Sequence, residues 1–192
     1  AGTTGDDYMA SHLLHGSYRL EDIGTASAFV YLLDYEYRNA LDSTTFGARF
    51  AGSRPLSEDL KALYEVSLAS QSDSGDNTAD LSEIYLFAEA GVSWRWLTAK
   101  LGYESLGGDG SVAFQTPLAT LHKFNGWSDQ FLVTPAGGLV DLYLTVAGTV
   151  PTAPGLKWSA TYHSFETEED GADLGEEIDL LATYPLKNLA DK

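Results

Sequence analysis

A chain of 192 residues with 44% hydrophobic and 12% aromatic side chains fits one folded domain and is too apolar to be disordered. A net charge of −17 argues against a phosphate backbone and so excludes nucleic acid as a partner, and the lack of cysteine excludes disulfides and thiolate chemistry. No run approaches the roughly eighteen apolar residues of a membrane-spanning helix, a test that barrel strands never meet.

The opening AGTTGDDY has neither a basic start nor an apolar stretch, so any secretory signal is expected to have been removed or never to have been present. Beyond it, alternation of apolar and polar residues predicts nine strands, at 8–20, 25–38, 44–52, 60–70, 84–94, 96–105, 139–150, 156–165 and 178–184. In the second, the odd positions Phe29, Tyr31, Leu33, Tyr35 and Tyr37 are apolar, and the even positions end in Asp34, Glu36 and Arg38. In the fifth, Ile84, Leu86, Ala88, Ala90, Val92 and Trp94 share the even face while Glu89 stands on the other. The sixth sets Leu97, Ala99, Leu101 and Tyr103 against Lys100 and Glu104. Side chains on a strand alternate between faces, so charges confined to one parity describe a wall with hydrocarbon on one side and water on the other.

Strand length points the same way, because globular strands average about five or six residues whereas tilted membrane strands need about nine to eleven. Connection lengths alternate as well. Short links follow the first, third, fifth and seventh strands, the fifth-to-sixth turn lying at Arg95, and the other set includes 71–83, 106–138 and 166–177. Short turns on one side and longer loops on the other are the habit of outer-membrane barrels. The expected fold is therefore all-β, a single antiparallel transmembrane β-barrel domain or barrel segment over 1–192. Nine strands is an odd number where bacterial single-chain barrels are even, and Leu189-Ala-Asp-Lys192 lacks a terminal aromatic. The expectation is an internal stretch of a larger barrel.

The block LGYESLGGDG at 101–110, continued by SVAFQTPLATLHKFNGW at 111–127 and PAGGLVDLY at 135–143, resembles the alginate-export-domain outer-membrane porins of Gram-negative bacteria. Weaker similarity extends to HLLHGSY at 12–18, QSDSGDN at 71–77 and KWSATYHSF at 157–165, covering most of the chain as the later part of a longer barrel. The resemblance implies an outer-membrane channel, monomeric or self-associating, that performs no catalysis.

The polar parity nominates Asp34, Glu36, Arg38, Arg49, Lys61, Glu65, Glu89, Lys100, Glu104, Asp141, Lys157, His163 and Asp179 as pore-lining residues, and Leu33, Leu86, Leu101 and Val146 as lipid-facing ones. With Arg19 included, seven acids nearly balance six bases on this wall, so a lumen built for a polyanion such as alginate is not supported. Aromatic girdle positions at the interfaces are Tyr35, Tyr37, Trp94, Tyr103, Trp158 and Tyr184. The long connection 106–138 is rich in apolar residues, among them Val112, Phe114, Phe124, Trp127 and Phe131, and must pack against something. Thr116-Pro117 reads as a helix start, followed by a short amphipathic helix through Leu118, Leu121 and His122. Two arrangements fit: a loop folded into the barrel, presenting His122 or Lys123 to solute at a constriction, or a lid packed on the rim.

Other chemistry finds little footing. Gly107-Gly-Asp-Gly110 is followed by no GK[ST] and lacks EF-hand spacing, so it reads as a turn. The acidic stretches 73–80 and 166–177 read as solvated outer loops, with divalent cations as the alternative. His12, His15, His122 and His163 show no metal-binding spacing, no GxSxG occurs, and neither metal nor cofactor is called for. Asp34 and Glu36, about 7 Å apart along one strand face, could suit a glycosidase but read as wall charges. The functional expectation is passive diffusion of small hydrophilic solutes across the bacterial outer membrane, with outer-membrane lipid and those solutes as the partners. The alternative is a soluble ligand-binding barrel or sandwich with its apolar parity inside.

Overall fold

The computed structural model describes residues 8–119 and 124–185. Nine strands follow in chain order: β1 (His12–Leu20), β2 (Gly24–Leu33), β3 (Ser43–Pro55), β4 (Leu60–Asp73), β5 (Ser82–Trp94), β6 (Leu97–Leu106), β7 (Leu139–Thr149), β8 (Lys157–Glu166) and β9 (Asp173–Thr183). They form one sheet in that order, each antiparallel to the next, with β1 and β9 as its outermost strands. Strands of 9 to 14 residues have the length a tilted membrane strand requires.

Cross-strand partners share a face, so the register sorts the whole sheet. One row runs Ser27, Arg49, Ser67, Phe87, Glu104, Asp141, Phe165. The next runs Thr25, Ala51, Glu65, Glu89, Gly102, Tyr143, His163, Glu177. The opposite face carries Ala28, Phe46, Leu68, Leu86, Leu101, Leu144, Tyr162 and Ile178. That face is bare: Leu101 is 55% exposed and Leu180 72%. The charged face is the sheltered one, with Asp141 only 1% exposed and His163 8%. The rival soluble barrel needs the reverse arrangement.

Several boundaries differ from those expected. Both β4 and β9 take in residues assigned to outer loops, so only 74–81 and 167–172 remain as connections there. The β1–β2 ladder loosens before Tyr8 and Arg38 instead of running through them. A single bridge joins Met9 to Tyr35, and Glu36 donates its N–H to the Tyr8 carbonyl at 2.9 Å. The cause is Asp42, fully buried, whose carboxylate accepts the Tyr35 N–H at 2.6 Å and pulls the chain into the 3-10 turn at Asn39–Leu41.

The helix expected after Pro117 is absent from the described residues. Ala119 donates to the Thr116 carbonyl in a simple turn, and Leu121, His122 and Lys123 lie outside the described residues. Gly107 to Gly110 leads into a bend at Gly110-Ser111 in place of the expected turn, with a bridge from Gly108 to Ala113 and the Asp109 N–H donated to the Val112 carbonyl at 3.0 Å. The Asp109 carboxylate accepts the N–H groups of Ser111 and Val112 at 2.8 and 2.9 Å, which holds it below the usual aspartate range.

Candidate pore wall and inner loop

Ten of the nominated residues share the sheltered face: Arg49, Lys61, Glu65, Glu89, Lys100, Glu104, Asp141, Lys157, His163 and Asp179. Seven of them are tied in two pairs and a triplet. Arg49 grips Glu65 through two hydrogen bonds of 2.5 and 2.7 Å, and Lys100 reaches Glu89 at 2.8 Å. Tyr143 donates to the other oxygen of Glu89 at 2.9 Å, its ring lying over Gly102, where a Cβ would collide with it. His163 stands between Asp141, 2.9 Å from Nδ1, and Asp179, 3.6 Å from Nε2.

Asp34, Glu36 and Arg38 do not belong to this wall. They are exposed beyond the end of β2, and the register turns the odd residues of that strand inward, opposite to expectation. Phe29, Tyr31 and Leu33 therefore stand on the sheltered face, and Leu33, expected to meet lipid, is 4% exposed. The expected girdle changes with them, because Tyr35 is buried rather than interfacial. Trp94 and Trp158 do stand on the apolar face at the short-turn end, and Tyr103 on the same face towards the loop end. In exchange the wall gains Asp73, Glu83 and Glu177, which had been assigned to loops because Ser, Asp and Glu dominate their surroundings. Among the described strand residues, eight acids then face five bases (Arg19, Arg49, Lys61, Lys100 and Lys157) instead of the near balance expected.

The loop 107–138 is fastened to this same face at widely separated strands. Gln71 of β4, almost fully buried, accepts the Gln115 N–H at 2.8 Å and donates to the Gln115 carbonyl at 2.9 Å. The Gln115 side chain repeats the clamp on Thr134, at 3.1 and 3.2 Å, so two glutamines hold both arms of the loop. Asn125 donates to Glu104 at 2.8 Å, and the N–H groups of Trp127 and Ser128 both point at the Glu177 carboxylate of β9. Apolar contact completes the seat: Phe114 packs with Ala69, Leu106, Leu139 and Phe165, and Phe131 meets Phe165 with ring centroids 4.8 Å apart. The molecule's core thus lies between sheet and loop. None of the glutamine clamp was visible in the sequence, since an isolated Gln among serines carries no pattern.

Beside the loop, the described residues line two cavities of similar size. One of about 410 Å³ lies over the charged wall, lined by Arg49, Glu65, Tyr143 and His163 among others. One of about 500 Å³ lies over β1–β4, lined by Leu13, Phe29, Tyr31, Gln71 and the loop residues Phe114 and Phe124 among others.

No family model matches this sequence, and no curated protein does. Solved structures do. The outer membrane protein OprD from Pseudomonas aeruginosa superposes with a TM-score of 0.69 at 17% identity, covering 92% of this chain and 49% of that one. An improved structure of the same OprD gives 0.63 at 17%, covering 85% and 43%. OccD1 (OprD) carrying two substitutions gives 0.62 at 16%, covering 85% and 42%. The chain spans less than half the length of each. At this identity the likeness establishes the fold, nine consecutive antiparallel strands arranged as in these barrels.

Proposed function

We propose that this chain forms wall and inner loop of a diffusion channel in the bacterial outer membrane, passing small hydrophilic solutes without catalysis. One observation carries the reading: the sheet bares its apolar face and shelters its charged one, an order that suits lipid outside and water inside. The OprD likeness supports the same location. Unpaired strand edges are not tolerated in lipid, so β1 and β9 need further strands beside them.

In this reading 107–138 is the constriction, because its anchors sit on the inner faces of β4, β6 and β9 and not on the rim. Solutes meet a wall with more carboxylates than cations, so cations are favoured modestly and salt screens the preference. The alginate-export-domain relationship stays a proposal about ancestry, and the acidic wall disfavours a polyanion as the solute. The test is conductance in planar bilayers. In the complete barrel, deleting 112–131 should raise single-channel conductance and admit larger solutes. An unchanged conductance and size limit in a folded deletion variant would remove the loop from the permeation path.

A further inference from the structure

Leu13, Phe29, Tyr31 and Leu33 are apolar on the face where β3 to β8 carry charge. They need a reason to be there. Phe29 and Tyr31 stack with centroids 5.0 Å apart, and Phe29 is laid flat over Gly47, where a Cβ would collide with its ring. The cleft they form with the loop, about 500 Å³, falls in the size range of about 300–1,000 Å³ typical of small-molecule sites.

Thr45, Gln71, Gln115 and Thr116 add neutral polar groups to that lining, and charge enters it at a single residue among those described. Glu104 is the one charged side chain among the described lining residues, and no Lys, Arg or His accompanies it. One Glu104 oxygen accepts the Tyr85 hydroxyl at 2.7 Å and the other the Asn125 amide at 2.8 Å, leaving each oxygen a further lone pair. A carboxylate ligand would face this charge, and the described lining residues hold no cation to offset it. A neutral apolar ligand would displace water from it without replacing the lost hydrogen bond. An ammonium group answers both problems, and aromatic faces tolerate a cation beside them.

We infer that the cleft is a solute subsite for small amines bearing an aromatic or branched apolar group, with the apolar part against Phe29 and Tyr31 and the ammonium on Glu104. This rests on the channel reading only for the route by which solute arrives.

Binding of 2-phenylethylamine, 2-phenylethanol and phenylacetate to the detergent-folded protein, followed by calorimetry or ligand-observed NMR, tests it. The amine should bind most tightly and phenylacetate least. Glu104→Gln should weaken the amine about tenfold, the scale of one charge-assisted hydrogen bond, and leave the alcohol unchanged. Phe29→Leu should weaken amine and alcohol alike. Phenylacetate binding as tightly as the amine, or an amine indifferent to Glu104→Gln, would overturn the inference. The three-ligand comparison decides the matter in the unaltered protein if a variant does not fold. Amine binding without any bilayer conductance would sink the channel and leave the cleft, and conductance without amine preference would do the opposite.

Discussion

Strands β2 and β5 belong to one sheet, yet they read differently. On β5 the outward residues Leu86, Ala88, Ala90 and Val92 are apolar, and the inward Glu89 joins Lys100 and Tyr143 in a polar network. On β2 both faces are apolar: Ala26, Ala28, Val30 and Leu32 look out, and Phe29, Tyr31 and Leu33 look in. Alternation therefore reports what each face touches. The inner side of β5 meets hydrogen-bonding partners across the wall, whereas that of β2 meets an apolar cleft closed by the loop. Where a loop covers one face of the sheet, that face loses its polarity, and bulk becomes a misleading guide to direction.

The largest test of that contrast is a charge placed on each side. Leu101→Arg should destabilise the folded state by about 2–4 kcal/mol near mid-bilayer, whereas Thr161→Arg, on the inner wall beside Asp179, should change it by less than about 1 kcal/mol. Urea unfolding in lipid vesicles measures both, and equal losses would mean that the two faces do not differ in environment.

Next in size is the loop clamp. Gln71→Leu removes both hydrogen bonds to the Gln115 backbone and leaves that N–H and carbonyl unpaired, so loop docking should weaken by about 2 kcal/mol while the strands persist. Hydrogen exchange at Gln115 and Thr134 should accelerate, and protection left as before would show that apolar packing alone seats the loop.

A smaller effect sharpens the reversal on β2. Spin labels at Leu86, Leu101 and Val146 should be relaxed by oxygen in bilayers, whereas labels at Leu33 and Phe29 should be shielded from it as inner-face positions. Oxygen contact at Leu33 equal to that at Leu101 would restore the orientation expected from size.

The smallest effect lies in the loops. Asp109 is held below the ordinary aspartate range by the Ser111 and Val112 N–H groups, and Asp170 by the Thr167 hydroxyl and Ala172 N–H. A carboxylate with a depressed folded value adds its stabilisation above the unfolded value of about 3.9 and loses it as pH falls through the folded one. Amide shifts of Ser111 and Val112 should therefore hold steady from neutral pH to about 5 and move only below about 3.9. A transition near pH 5 would show that these hydrogen bonds do not form.

By itself the sequence determined the class of fold, the number of strands, the end of the sheet at which each connection lies and the parity that carries the charges on β3 to β8. Each of these follows from local alternation and turn chemistry, which a strand expresses whatever its neighbours are. Only the tertiary structure decided the orientation of β2, because two apolar parities carry no local sign and the register with β3 supplies it. It also decided the extra length of β4 and β9, where polar residues are strand because partners across the sheet take their backbone groups. The place of the long loop was settled by Gln115 together with Gln71, Glu104 and Glu177, residues far apart in the chain that meet the loop because the strand order β4 to β9 puts their side chains on one face of the sheet.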